Sequence, residues 1–153
     1  MYYQLLTLHS IARWLVLITL VVAVIAAFKG LTDGRPFSRK DNALRHWTAT
    51  TAHIQLMIGM ILYTQSPVVK YFWKNTGAAS SFDITFYSAI HAALMLSAIV
   101  VLTIGSALAK RRSTDKDKFR TMLIWFSIAL IIILLAIPWP FSPLSARPYL
   151  RTF

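Results

Sequence analysis

Six polar side chains interrupt otherwise apolar stretches of this 153-residue chain: His9, Arg13, His46, His53, Gln55 and His91. Polar groups are costly in lipid, and where they occur they mark ion, proton, cofactor or substrate sites. Neutral imidazole is a good ligand for metals and for haem iron. There is no cysteine, which removes disulfides, thiolate-held zinc, iron–sulfur clusters and thioether-attached haem. Two imidazoles at one depth on facing helices, His9 and His91, fit a haem b held between them. Arg13 stands one turn from His9 on the same helical face, where its guanidinium can meet a haem propionate. Ser88, three residues before His91, can accept the second ring N–H of that histidine and fix its tautomer.

Four stretches must position these groups, at about 3–28, 44–63, 84–109 and 119–137. Each is close to the roughly 20 apolar residues that a membrane-crossing helix needs, and no Asp or Glu falls inside any of them. Pro138 ends the fourth because it cannot donate to the helix ladder. Asp41, Asp83 and the run Ser113-Thr114-Asp115 stand just before the second, third and fourth spans as capping candidates. The expected fold is all-α: a single four-helix transmembrane up-down bundle. The apolar stretch before Phe28 has no preceding positive region and reads as a retained span, not a cleaved signal.

Composition agrees with a lipid environment. The chain is 57% hydrophobic and 14% charged, against about 25% charged in soluble domains. Its net charge of +11 sits in short tracts between apolar runs, so a nucleic-acid partner is not expected. Lys29, Arg35, Arg39, Lys40 and Arg45 flank the first connector, and Lys110, Arg111, Arg112, Lys116, Lys118 and Arg120 flank the third. Those eleven face four on the other side, namely Lys70, Lys74, Arg147 and Arg151. The positive-inside rule puts the eleven in the cytoplasm and both termini outside, as in a bacterial cytoplasmic (inner) membrane. Aromatic residues including Tyr3, Tyr63, Trp73, Trp139, Phe141 and Tyr149 gather at the outer ends as an interfacial belt. The connector from Ser66 to Trp73 is expected to lie along that surface.

Depth links His9 to His91. Each enters from the outer side, about six and seven residues into its span, or roughly 9 and 10 Å deep at 1.5 Å per residue. The first and third spans of an up-down bundle are parallel and can face each other diagonally. Ala89, Ala92, Ala93, Ser97 and Ala98 leave room near His91 for a macrocycle. The plainer alternative is that each histidine only hydrogen-bonds between helices and that the small residues are ordinary packing. His46 and His53 are seven residues apart on one face, roughly 10 Å along the axis, too far for one iron. His53 is the second-rank candidate to line the cavity, relay protons or hold a second haem, with Met57 and Met60 beside it. His46 reads as structural.

The runs His9-Ser10-Ile11-Ala12-Arg13-Trp14-Leu15, Asp41-Asn42, Gln55-Leu56-Met57-Ile58-Gly59, His91 with Met95, and Ile137-Pro138-Trp139-Pro140 resemble short bacterial four-span proteins labelled "cytochrome B". The resemblance spans nearly the whole chain and implies a haem-binding, electron-carrying role for His9, Arg13 and His91. His46 and His53 fall outside that pattern.

Two functions follow. One is a membrane b-type cytochrome carrying electrons between quinol and a periplasmic or membrane redox partner. The other is a haem-free structural or anchor subunit of a larger respiratory-type complex. No nucleophile or acid–base pair is visible, so an electron carrier or subunit is expected over a stand-alone enzyme. A small transporter would need broken helices and a polar path, for which His53 and Gln55 are the only signs.

Overall fold

The computed structural model describes residues 2–75 and 81–140, and every regular element among them is helical. In chain order these are α1 (Tyr2–Thr32), α2 (Arg39–Gln65), α3 (Pro67–Lys74), α4 (Phe82–Thr85), α5 (His91–Arg111) and α6 (Asp115–Ala136). A π-helical turn over Phe86–Ile90 joins α4 to α5, so that Phe82–Arg111 is one continuous rod.

Helix ends follow local chemistry. After α1 the chain turns at Gly34, which holds a positive φ of 63° that glycine adopts at no steric cost. Ser38 and Asp41 form a capping box at the start of α2, each satisfying a backbone N–H that the helix leaves open. Asp41 is therefore the third residue of the helix and Ser38 is the cap. Ser66 ends α2 and also caps α3, with Pro67 in the first turn, a position where its missing N–H costs nothing. Thr114 caps α6 through the Asp117 amide. Asp83 sits in the first turn of α4, and the preceding Ser81 makes no side-chain cap bond.

Among the described residues, three helices are long and apolar enough to cross a membrane: Tyr2–Thr32, Phe82–Arg111 and Asp115–Ala136. The expected fourth span, α2, is a full 27-residue helix, but its threonines, histidines and Gln55 leave it outside that group. The expected surface connector is the short helix α3.

The helices close a ring in which α1 packs on α2 and α6, and α5 packs on α2 and α6. Between α1 and α2, Gln55 bonds the His9 carbonyl and Thr48 the Thr19 carbonyl. Tyr63 of α2 bonds the Ser88 carbonyl in the π turn, at 2.8 Å, and Arg45 bonds that of Ser106 in α5, at 3.0 Å. Small residues bring the rods together: a Cβ on Gly105 would overlap Trp125, and one on Gly30 would overlap the Phe119 ring. The middle and one end are filled by Leu20, Ala23, Ala52, Leu102, Met122 and Phe126. Arg45, counted above among connector cations, is instead buried inside the bundle, held by Asn42 and Ser106.

Candidate functional site

The polar groups gather at the other end. His91 begins α5 immediately after the π turn, and its amide bonds the Phe86 carbonyl. An inserted π turn widens the helix by one residue and re-aims the side chains that follow it, which is why such turns recur at functional sites. The turn is pinned from α2, where Tyr63 donates to the Ser88 carbonyl at 2.8 Å and itself accepts from Trp73 Nε1 of α3 at 3.0 Å.

His91 Nδ1 lies 2.8 Å from the carbonyl oxygen of Ala136 on α6. A carbonyl only accepts, so Nδ1 carries the proton and the lone pair of the neutral ring is on Nε2. The sequence explains why that carbonyl is open. In a continuing helix the C=O of Ala136 would accept from residue 140 and that of Leu134 from residue 138; both are prolines, with no N–H to give. Two ring N–H groups take their places: His91 at Ala136, and Trp139 Nε1 at Leu134, at 2.9 Å. The Pro138-Trp139-Pro140 run thus ends α6 and sets the tautomer of His91. Ser88 was expected to do the latter. It is fully buried, yet its Oγ has no hydrogen-bond partner among the described residues.

His9 reaches the same region from α1. Its ring packs on Gly59 of α2, where an added Cβ would stand 3.2 Å from Cε1, and its buried Nδ1 has no hydrogen-bond partner among the described residues. Gln55 donates to the His9 carbonyl at 2.9 Å, while its own buried Oε1 has no partner among the described residues. His9, His91 and Arg13 are close enough for their charges to act on one another, and Arg13 is likewise in range of Tyr87. The Arg13 guanidinium stands 5.6 Å from the Trp14 ring, which meets Trp139 edge-on at 6.0 Å. Phe86 and Tyr87 flank His91 with centroids 6.0 and 6.5 Å away.

No known protein family, curated protein or solved structure matches the chain. What the site can do is therefore argued from its side chains.

His9, Arg13, Ser88 and His91 are brought to one end of the bundle. His53 is not with them: it is exposed at the edge between α2 and α5, with Nδ1 donating to the Ala49 carbonyl at 2.7 Å and Nε2 3.2 Å from the Thr103 hydroxyl of α5. Met57 and Met60 are 59% and 56% exposed on the same helix, so neither is placed as a ligand partner inside the bundle. Of the small residues near His91, Ala93 and Ser97 also face outward. Sequence reasoning missed Gly59, Tyr63 and the Ala136 carbonyl. The paired prolines were the one signal that could have revealed the last of these. Phe141, Tyr149, Arg147 and Arg151 lie outside the described residues.

His9, whose buried Nδ1 has no partner among the described residues, and His91, oriented by a backbone carbonyl, are the residues that would hold a haem iron. Metal-bound histidine almost always donates its other N–H to such an oxygen. The donor set fits that group.

Proposed function

We propose that the chain is a four-span, up-down membrane protein of a bacterial cytoplasmic membrane, with both termini outside. In this reading it holds one haem b between α1 and α5 through His9 and His91, and it carries electrons between quinol and a membrane or periplasmic redox partner. The observation that carries the reading is the His91–Ala136 bond beside the unpartnered, buried Nδ1 of His9. The excess of basic residues at the connector between α1 and α2 and at that between α5 and α6 supports the orientation. α2 counts as the fourth span because it runs the length of the bundle between α1 and α5.

The bound haem would supply a one-electron iron couple whose potential its ligands and surroundings tune. The chain's own part is to position and insulate. Ala136 keeps His91 Nδ1 protonated and Nε2 free. Gly59 lets the His9 ring lie against α2. Arg13 provides positive charge for a carboxylate in the same region. Phe86, Tyr87, Trp14 and Trp139 crowd water away from the two imidazoles.

The purified protein in mild detergent tests this reading. A Soret band, a sharp α-band on reduction and one haem per chain by pyridine haemochrome assay are expected. A colourless preparation from haem-replete cells, co-purifying with other subunits in fixed ratio, would instead establish the haem-free anchor.

A further inference from the structure

The π turn over Phe86–Ile90 runs directly into His91, and its own residues give no reason for it. Phe86-Tyr87-Ser88-Ala89-Ile90 holds neither proline nor glycine, so nothing local breaks the α ladder. The π form is rare, and here it is held from outside the helix.

Two contacts hold it. At its start the Phe86 side chain is fully buried, and the Phe86 carbonyl accepts the His91 amide. At its middle the Ser88 carbonyl accepts from the phenol of Tyr63 at 2.8 Å, so α2 grips the turn by its backbone. The grip extends outward, because Trp73 Nε1 donates to the same phenol oxygen at 3.0 Å. A hydroxyl that accepts on one side and donates on the other is held from both, and each bond strengthens the other. Helix α3, which carries Trp73, buries Val69 and packs on both the π turn and α4. A chain of hydrogen bonds thus runs from α3 through Trp73 and Tyr63 to the turn that precedes His91.

That turn governs where the imidazole goes. A π turn carries one residue more than the α turn it replaces. Relaxed to plain α-helix, it would change the phase between Phe86 and His91 by about 100°, the rotation of one residue at 3.6 per turn. Either Phe86 would leave its buried place, or His91 Nδ1 would leave the Ala136 carbonyl that lies 2.8 Å away.

We propose that Tyr63 is a positioning residue for His91: its hydroxyl holds the π turn and so aims the imidazole, and Trp73 ties that hold to α3. The proposal rests on the haem reading only for what His91 then binds.

The full chain in mild detergent, with and without haem, tests it. Tyr63→Phe removes one oxygen and keeps the ring. In haem-free protein, amide hydrogen exchange over residues 86–91 should quicken at least fivefold, with the rest of α5 unchanged. In haem-loaded protein, transfer of haem to apomyoglobin should quicken about tenfold, the low end of what support behind a metal ligand is worth. The low-spin electron paramagnetic resonance g-values, which read the orientation of the two imidazole planes, should shift as well. Trp73→Phe leaves the phenol in place and should show the same changes in smaller measure. Thr48→Val is the control: it deletes another hydroxyl-to-carbonyl bond from α2, to Thr19 at 3.3 Å, and should leave all three readings as in the parent. Unchanged helical circular dichroism checks that the variants fold; should Tyr63→Phe fail to fold, Trp73→Phe carries the same test. Parental exchange and haem transfer in Tyr63→Phe, or equal changes in Thr48→Val, overturns the proposal. A colourless parent in which Tyr63→Phe still quickens exchange over residues 86–91 defeats the haem reading and leaves the positioning role standing. A coloured parent with Tyr63→Phe unaltered defeats the positioning role alone.

Discussion

The tautomer of His91 is decided by the backbone at the far end of the next helix, α6. Because Pro140 leaves the Ala136 carbonyl open, Pro140→Ala restores an N–H that competes with His91 for it. Loss of a hydrogen bond behind a metal ligand typically costs 10- to 100-fold in affinity. Haem retention in Pro140→Ala should fall by about that range on competitive extraction with apomyoglobin, while far-ultraviolet dichroism stays unchanged. A second expectation concerns Asp41, outside the apolar spans. Arg35 grips its carboxylate with two bonds of 2.7 Å. Together with Ser38, this holds its pKa at about 2, below the usual 3.8. A depressed carboxylate stabilises fully above its unfolded value and loses that contribution as pH falls toward its folded one. The melting temperature should therefore decline between about pH 4 and pH 2, and Asp41→Asn, less stable at pH 7, should converge on the parent in that window. Parallel curves for the two proteins down to pH 2 would refute this role.

Helices were legible in the sequence where run length alone decides. α1 and the Phe82–Arg111 rod contain the stretches expected of them, and α6 covers all of its own but Ile137, because 20 apolar residues have few other fates. Their facing was not legible. In lipid the outward surface is as apolar as the core, so no hydrophobic stripe says which way His53 points, and it points away from His9 and His91. The π turn was equally invisible: Phe86–Ile90 is ordinary helix-forming sequence, and only the bonds from Tyr63 and to His91 single it out. Ser113-Thr114-Asp115 was placed correctly as a cap cluster, whereas Asp41 was displaced by Ser38 because a capping box puts the acid three residues inside. Packing between rods turns on glycines that a hydropathy reading passes over. At Gly105 a methyl would meet the Cβ of Trp125, an atom that cannot swing aside without moving α6. Gly105→Ala should cost about 1–3 kcal/mol, the usual range for overpacking a close contact, seen as a lower melting temperature with the spectrum of the folded protein retained. An unchanged or higher melting temperature would mean that α5 and α6 sit further apart.

The molecule divides its polarity by depth. A packed apolar middle holds its rods together, basic connectors lie at one end, and the imidazole cluster lies at the other beneath α3. Such an arrangement sets the imidazole cluster apart from the basic connectors. The account therefore depends on His9 and His91 acting as one pair, and their replacement probes it most directly. His9→Ala and His91→Ala, purified in parallel with the parent, should each lose the Soret and α bands while keeping parental helicity, and externally added imidazole should restore part of the absorbance. Retention of the parental spectrum by both variants would contradict the account.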